Sequence, residues 1–501
     1  MTETPEAGKK KSGDRVAVAA VPRPSDLRRG IWLLIGVALF AITFFLPGLP
    51  DATDPEGRVI ALSNEGRMAL GLFLLAATWW VTEAIPSGVT AIAIGVIQAL
   101  FQIRSARTAF TDFMDPAVWF IIGSVVIGMV FTKTGLTNRL AYRMLTIVGE
   151  RTSRIYLGAF VMTAAMTLVM AHTAVAAAVF PLLMTIYALY EEDSRPTRFG
   201  KGLFIGMAFT AGAGSIITLL GAARGAVAVG FYAQLVGREI DFFELTWYLL
   251  PVGALMVGLL WIYILLVFRP EQEVIPGLRD RARRLHSRLG PMKRDEILGL
   301  SITLLAVGLM GLRSFVPSVE FLDKSAIIAG STVLFFACRI LRRDDLEALP
   351  WNIVLLFGGA MSLGLCLWQT GAAEWLAISW LSHLHGREVI ALVLGVGIFV
   401  MIMTNIIMNV AAIAISLPVA LVMAPYLGVS TEVILFVSLT TAGMPFLFLV
   451  GAAPNAIAYQ SRQFTAGEFF MAGVPASLIV IGVTWLFVAK IWPLMGMPIT
   501  G

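Results

Sequence analysis

The sequence is poor in the residues that build disulfide frameworks and metal clusters. Its 501 residues include two cysteines, Cys338 and Cys366, and four histidines. So few sulfur and imidazole ligands exclude a disulfide scaffold and a metal cluster. The chain also lacks a nucleophile–base constellation, a Walker loop and a dinucleotide fingerprint. We therefore expect neither an enzyme nor a resident organic cofactor.

Charge is also scarce, which excludes an ordinary soluble domain. Charged residues make up 14% of the chain and hydrophobic residues 58%, whereas soluble domains have about 25% charged residues. Several nearly uncharged runs are long enough to cross a bilayer. We predict an all-α polytopic membrane protein with about 11 transmembrane helices. The lipid bilayer is a predicted partner and nucleic acid is not.

The positions of the basic residues predict the topology. Lysine and arginine concentrate at 133–154, 191–201, 269–296 and 339–343, and basic loops remain on the cytoplasmic side. Residues 1–30 are polar and lack an apolar segment with a cleavage site, so we predict a disordered cytoplasmic tail. These assignments place the protein in the cell membrane with the N-terminus cytoplasmic and the C-terminus outside.

Two apolar segments are interrupted by small polar clusters. Residues 155–190 carry Ala-His-Thr at 171–173, and residues 389–426 carry Asn409. The first segment is charged at both ends, which favours a re-entrant hairpin with the cluster at its tip; two full spans joined by an outer turn are the alternative. Helices at 202–237 and 430–465 are broken by glycine-containing stretches at 221–225 and 451–455. Broken membrane helices are tolerated where they line a cavity.

These elements occur twice in the same order. The first repeat, 31–268, contains predicted spans 1–6, the basic linker covers 269–296, and the second repeat, 297–501, contains spans 7–11. Equivalent points are offset by about 230–237 residues with an odd number of crossings between them, so we predict inverted repeats around a midplane binding site.

A short motif before the third span carries a family resemblance. Residues 79–86 read Trp-Trp-Val-Thr-Glu-Ala-Ile-Pro, which resembles an element of the divalent-anion/sodium symporter family of di- and tricarboxylate and sulfate carriers. The resemblance extends over about residues 30–495. It implies a homodimer, a scaffold with a moving transport domain, and elevator-type motion.

The chain departs from the family pattern mainly in the first repeat. Both hairpin tips of the family carry Ser-Asn-Thr, where this chain has Ala-His-Thr at 171–173 and Met-Asn-Val at 408–410. The family's breaks read Gly-Thr-Pro-Pro-Asn or a near variant. The second break, 451–455, stays close to this pattern, whereas the first has Arg224 in place of proline and Gly225 in place of asparagine.

The resemblance and the residue chemistry together predict a site. The predicted substrate-binding residues are His172, Thr173, Arg224, Asn409, Ala452, Ala453 and Pro454. The candidate sodium ligands are Thr404, Asn409 and Gly451 in the second half, and Thr167 and Gly221 in the first. Loss of side-chain oxygens at Ala171 and His172 weakens the first-half sodium site.

Two hypotheses follow from the departures. Arg224 is a built-in cation that either replaces the first sodium or holds a substrate anion bidentately; its alternative is a paired or snorkelling arginine at an interface. His172 couples transport to protons, donates a hydrogen bond to the anion in its neutral form, or serves only in packing.

We therefore expect a secondary active transporter of small anions, di- or tricarboxylates, with sodium as the coupling ion. The alternatives are a sodium-independent anion exchanger, a proton-coupled carrier of sulfate-like anions, and a non-transporting sensor or scaffold derived from the family.

Overall fold

A computed structural model describes residues 26–46, 49–53, 58–191, 195–319, 321–384 and 388–500. Within these ranges the chain is almost entirely helical, as expected where no water is present to satisfy backbone groups. One short antiparallel pairing joins β1 (Ala52–Thr53) to β2 (Val59–Ile60).

The helices divide into two sets. The first set is α1 (Asp26–Phe45), α2 (Asn64–Thr82), α3 (Ser87–Leu100), α4 (Ala106–Thr111), α5 (Pro116–Thr134), α6 (Leu136–Val148), α7 (Thr152–Met166), α8 (His172–Tyr190), α9 (Arg198–Gly214), α10 (Ala223–Val236) and α11 (Phe242–Val267). The second set is α12 (Leu278–Arg288), α13 (Arg294–Arg313), α14 (Lys324–Ala337), α15 (Arg343–Glu347), α16 (Trp351–Gln369), α17 (Ala372–Leu384), α18 (Val389–Ile406), α19 (Asn409–Tyr426), α20 (Thr431–Ala442), α21 (Ala453–Tyr459), α22 (Ala466–Leu486) and α23 (Trp492–Leu494). A π-helical segment, Phe487–Ile491, joins α22 to α23.

Several of these helices have an N-cap residue whose side chain accepts a hydrogen bond from the first turn. The side chains of Ser63, Thr197 and Asp323 each accept a hydrogen bond from the backbone N–H three residues further on, at 2.9 Å. Thr465 and Glu468 form a reciprocal capping box at the start of α22. Such caps satisfy N–H groups that have no acceptor within the helix.

The predicted repeat is visible in the order and packing of the helices. The ten helices α2–α11 correspond one by one, in chain order, to the ten helices α13–α22. Their packing is interchanged between the halves: α3 packs along α16 while α14 packs along α5, and α10 packs along α19 while α21 packs along α8. Interchanged packing of this kind is expected for two copies of one unit related by a two-fold axis.

Each half contains one helical hairpin and one broken helix. Helices α7 and α8 form the first hairpin, and α18 and α19 form the second. The first break separates α9 from α10, and the second separates α20 from α21, with a short 3₁₀ turn at Leu449–Gly451.

Glycine is required at both breaks because they approach the hairpins closely. A Cβ on Gly221 would lie 2.6 Å from the Ser215 carbonyl oxygen and 2.8 Å from that of Thr167. A Cβ on Gly451 would lie 3.0 Å from the Thr404 carbonyl oxygen. Thr167 and Thr404 occupy equivalent places near the tips, so the two repeats make the same close contact.

Nine helical segments of the described chain are long and apolar enough to span a membrane. The sequence predicts about 11 transmembrane helices, and the predicted spans do not all coincide with these segments. Helices α3 and α14 have 14 residues each, which is about 21 Å and less than a hydrocarbon core of about 30 Å. Conversely, α8, α18 and α19 belong to the hairpins and yet satisfy the same criterion, because length alone does not distinguish a hairpin arm from a full span.

Three predicted boundaries need correction. Helix α1 begins at Asp26, so residues 26–30 of the predicted tail are helical, and residues 1–25 lie outside the described residues. The predicted basic loop at 133–154 is largely the amphipathic helix α6, and the linker at 269–296 contains α12. In both, the charges occupy one face while buried residues such as Leu145 and Ala282 occupy the other.

Candidate functional site

A cavity of about 720 Å³ lies where both hairpin tips meet both helix breaks. Four helices begin at its wall: α8 at His172, α10 at Ala223, α19 at Asn409 and α21 at Ala453. Helices α5 and α16 close the sides with mainly apolar residues such as Phe357. The cavity therefore joins elements from both repeats.

None of these four helices is capped by a side chain. Their N-cap residues are Ala171, Ala222, Met408 and Ala452, which carry no side-chain oxygen or nitrogen. The first N–H groups of a helix have no acceptor within it, and the helix dipole places a partial positive charge there. Four such ends around one cavity create a positive potential suited to an anion.

The first tip is anchored to the first break through His172. Its backbone N–H donates to the Gly221 carbonyl at 2.9 Å, and its Nδ1 lies 3.2 Å from the same oxygen. Because a carbonyl can only accept, Nδ1 must carry the proton. In the neutral imidazole, Nε2 is then a hydrogen-bond acceptor. His172 lines the cavity, and within the described part of the chain its Nε2 makes no hydrogen bond.

The interpretation of His172 as a neutral hydrogen-bond donor to the anion would require the other tautomer. A neutral imidazole that keeps its Nδ1–H on Gly221 has no second proton to give. It therefore cannot donate a hydrogen bond to an anion. Nε2 can accept one from a hydroxyl or a protonated carboxyl group, or it can take up a proton itself.

Arg224 connects the first break to the second tip. Its Nη2 donates to Ser215 Oγ at 2.8 Å. With the Asn409 amide oriented so that both of its atoms have complementary partners, Asn409 Oδ1 accepts from Arg224 Nη1 at 3.2 Å and Nδ2 donates to the Gly451 carbonyl at 2.5 Å. The guanidinium also lies against Gly443, where an added Cβ would be 2.8 Å from Nη2.

The charge of Arg224 is not neutralised by these contacts. The residue is only 2% exposed, and Ser215 and Asn409 are neutral. No carboxylate pairs with it among the residues that the structure describes. An arginine at bilayer depth costs roughly 2.5–3.5 kcal/mol on insertion scales. Arg224 also lines the cavity, so an anion bound there would supply the missing counter-charge.

The candidate sodium ligands of the first half are already engaged. The Gly221 carbonyl accepts from His172, and the Thr167 hydroxyl donates to the Ala164 carbonyl at 2.6 Å. Neither Thr167 nor Gly221 is on the cavity wall that the described residues form. Ala171 and His172 add no side-chain oxygen.

The second half keeps the ligand types, and each predicted ligand also makes a hydrogen bond. The Thr404 hydroxyl donates to the Ala442 carbonyl at 3.1 Å. Asn409 Oδ1 accepts from Arg224, and the Gly451 carbonyl accepts from Asn409. Asn409 and Gly451 line the cavity, whereas Thr404 is fully buried outside the described wall. A cation of the protein thus already contacts one of the three predicted ligands.

Some of the remaining predicted substrate residues line the cavity and one does not. Thr173, Ala452 and Ala453 line the cavity, whereas Pro454 is buried outside its described wall. Pro454 occupies the first turn of α21, where it favours the start of the helix. The next residue, Asn455, donates to the carbonyls of Pro445 and Phe448 at 2.8 and 3.1 Å and so holds the break in place.

Sequence reasoning missed a charged pair at the cavity. Lys133 at the end of α5 and Asp345 on α15 form an ion pair, and both line the cavity. Partial burial raises the pKa of the Asp345 carboxyl, but Lys133 and the backbone N–H of Arg342 outweigh it and hold that pKa below its usual value. The two residues are 212 positions apart in the sequence, so no local pattern indicates the pair.

Comparisons with solved structures agree with this fold. The YdaH transporter of Alcanivorax borkumensis covers 95% of this chain and 99% of its own with a TM-score of 0.54 at 16% identity. MtrF of Neisseria gonorrhoeae, described as illuminating a class of antimetabolite efflux pumps, covers 94% and 95% with a TM-score of 0.56 at 12% identity. At these identities the likeness concerns the fold alone.

Sequence comparisons identify relatives along nearly the whole chain. The sodium-dependent dicarboxylate transporter SdcS of Staphylococcus saprophyticus is 26% identical over 492 residues, covering 94% of this chain and 93% of the relative. SdcS of Staphylococcus aureus is 26% identical over 495 residues with the same coverage.

The family comparison is more general than either relative. Residues 28–498 match the family described as the sodium:sulfate symporter transmembrane region. That span contains both repeats, both hairpins and all four helix starts at the cavity. The chain belongs to this sodium:sulfate symporter family of membrane transporters.

Proposed function

We propose that the protein is a secondary active carrier of small dicarboxylates, which it moves across the cell membrane by alternating access. The observation that carries the proposal is the convergence of four uncapped helix starts and the unpaired guanidinium of Arg224 on one cavity. A dicarboxylate matches this arrangement because it has two separated charges. One carboxylate would lie at the break of each repeat, with Arg224 nearest the substrate group of the first half.

The relatives support the substrate class. Those transporters are named for dicarboxylates, and the family description names sulfate. Tricarboxylates and sulfate share the required negative charge, so they belong in the same test. A non-transporting sensor is disfavoured because both helix breaks and the glycines that allow them are present.

For coupling, we infer that Arg224 replaces one sodium ion of the symport mechanism. A sodium ion on Asn409 Oδ1 would lie about 4 Å from the guanidinium, where two like charges repel by about 4 kcal/mol at an effective dielectric constant of 20. The relatives are named as sodium-dependent. Because Arg224 opposes a sodium ion at Asn409, we expect the dependence of uptake on sodium to be weaker in this protein. A sodium-independent exchanger is the limiting form of the same proposal.

Family membership also supports a proposal on assembly and motion. We propose a homodimer in which a transport domain containing the two hairpins and broken helices moves against a scaffold. The N-terminus would be cytoplasmic and the C-terminus outside, as the basic segments predict.

The test is uptake into vesicles reconstituted with the full chain. Succinate, malate, citrate, sulfate and phosphate are supplied separately, each with sodium or with an impermeant organic cation, and with or without a pH gradient. We expect the fastest uptake for a dicarboxylate, with less than tenfold stimulation by sodium. Uptake of sulfate alone would overturn the substrate class. Absence of flux for every anion would overturn the carrier function.

A further inference from the structure

A second cavity, outside the transport site, lies between α6 and α7. It has a volume of about 690 Å³ and is open along one side. Residues of one face of each helix line it, and Arg143 and Arg154 are the charged side chains in this lining. The remaining lining residues are apolar, among them Ile147, which is 76% exposed, and Val161, which is 48% exposed. We call this cavity the α6–α7 groove.

The groove has the length of a lipid chain. Its α7 wall runs from Arg154 to Met166, which is roughly 18 Å at about 1.5 Å per residue. Half of a hydrocarbon core of about 30 Å is about 15 Å. An acyl chain that extends about one leaflet into the bilayer would therefore fit along this wall.

In the part of the chain that the structure describes, no carboxylate pairs with either arginine of the groove. Arg139, one turn before Arg143 on α6, pairs with Glu296 at 2.8 Å. Across the described ranges, Arg143 and Arg154 make no such pair and no side-chain hydrogen bond. The nearby acidic residue Glu150 is directed to α12, where it accepts from the Arg279 backbone N–H at 3.3 Å. Two guanidinium groups in the lining of an apolar groove, with no counter-charge among the described residues, match a phosphate that carries an acyl chain.

We propose that the α6–α7 groove binds one anionic phospholipid, with an acyl chain between the helices and the headgroup phosphate on Arg143 and Arg154. The site is independent of the transported anion, because none of its lining residues lines the transport cavity. Helix α6 connects α5 to the first hairpin, so the lipid would contact the joint between a side wall of the transport cavity and a hairpin.

The binding experiment uses the full chain, purified in detergent and stripped of lipid. Dioleoylphosphatidylglycerol, dioleoylphosphatidylcholine and sodium phosphate are titrated in separate arms, with bound lipid counted by native mass spectrometry and thermal unfolding followed in parallel. We expect one phosphatidylglycerol to remain bound and to raise the unfolding temperature. Phosphatidylcholine and phosphate at equal concentration should do neither.

Variants separate the two parts of the site. Arg143→Gln with Arg154→Gln should weaken phosphatidylglycerol binding roughly thirtyfold, since each surface arginine contributes about a factor of five. Ala165→Trp, which fills the groove and leaves both charges, should also weaken it. The control pair Arg281→Gln and Arg284→Gln removes two exposed charges from α12 and should leave binding within twofold of the wild type.

Several results would overturn the proposal. Equal binding of the two lipids would show a groove without headgroup recognition, and equal stabilisation by phosphate would show a free-anion site. Unchanged lipid binding in the double variant would exclude the arginines. A change of oligomeric state in that variant, seen by light scattering without any lipid preference, would assign the groove to a second copy. If the double variant does not fold, the lipid arms and Ala165→Trp still decide the matter.

Discussion

At the scale of single residues, Arg224 is the feature that most distinguishes this chain. A buried guanidinium with neutral partners remains a full positive charge in a medium where charge is costly. Symporters that use sodium to hold an anion must load that cation in each cycle. A covalently attached cation is always present, so substrate affinity and sodium concentration should be less tightly linked in this protein.

Replacing Arg224 with alanine should therefore impair uptake more than folding. Loss of a hydrogen-bonding charge costs about 1.5–3 kcal/mol, so we expect the KM for the best dicarboxylate to rise roughly ten- to hundredfold. Arg224→Lys keeps the charge but loses the bidentate contact, so its KM should lie between those of the wild type and Arg224→Ala. Arg281→Ala on α12 is the control. If Arg224→Ala leaves both uptake and its sodium dependence unchanged, the built-in cation is wrong.

His172 should act in its neutral form during transport. Its imidazole lies at the cavity with Arg224 and Lys133, and two nearby cations oppose a further positive charge there, although Asp345 favours it. Uptake by His172→Asn should therefore keep the pH profile of the wild type between pH 8 and 5.5, measured in vesicles without a pH gradient. A rise in wild-type uptake at low pH that His172→Asn abolishes would contradict this and would indicate proton coupling through His172.

The sequence identified part of the cavity wall but not the hydrogen bonds of its residues. His172, Arg224 and Asn409 were expected at one site, and the structure brings all three to one wall. Their partners could not be predicted, because the reach of Arg224 across the repeats to Asn409 depends on its rotamer and on the empty space at Gly443. Thr167 and Thr404 match ligand types, yet their hydroxyls are turned to backbone carbonyls.

At the scale of helices and turns, the helix starts at the transport cavity differ from others in the chain by having no polar cap. The chain caps α2, α9, α14 and α22 with polar side chains, but the four helix starts at the transport cavity have alanine or methionine there. A polar cap would occupy the N–H groups that an anion needs. The pattern is readable in the sequence only once the helix boundaries are known, which is why motif spacing missed it.

The close approach of Gly221 to the first hairpin gives a test at this scale. Gly221→Ala would place a Cβ against backbone atoms of Ser215 and Thr167, and such overpacking costs about 1–3 kcal/mol. We expect a lower unfolding temperature and reduced uptake. Gly225→Ala, four residues away, meets its nearest neighbour at 3.5 Å and should be tolerated. Equal effects of the two substitutions would show that the break does not depend on this contact.

At the scale of the whole molecule, the two repeats share an architecture but not a chemistry. Their helices correspond in order, and Gly221 and Gly451 make equivalent contacts with Thr167 and Thr404. The first repeat supplies the protein's cation and a histidine, whereas the second supplies an amide. Apolar periodicity and charge distribution were sufficient to predict the shared part, because membrane burial dictates them. The sequence predicts loops at α6 and α12, because their many basic residues are typical of exposed segments. Each helix nevertheless has a buried apolar face.

Movement of the hairpins against α5 can be tested by cross-linking. A Cβ on Gly128 of α5 would lie 3.4 Å from that of Ala174 on α8, close to the separation of about 3.5–4.5 Å in disulfides. In a background with Cys338 and Cys366 replaced by alanine, Gly128→Cys with Ala174→Cys should cross-link on oxidation and stop uptake. Reductant should restore it, because the chain itself is unchanged.

The control for this experiment joins two helices that are expected to move together. A Cβ on Gly71 of α2 would lie 3.1 Å from the Cβ of Thr43 on α1. Gly71→Cys with Thr43→Cys should also cross-link but should leave uptake near that of the reduced protein. If the α5–α8 cross-link forms completely, by mass spectrometry of the peptides, and uptake continues, the first hairpin does not move relative to α5. Transport would then require a gating motion elsewhere in the molecule, and the elevator proposal would have to be abandoned.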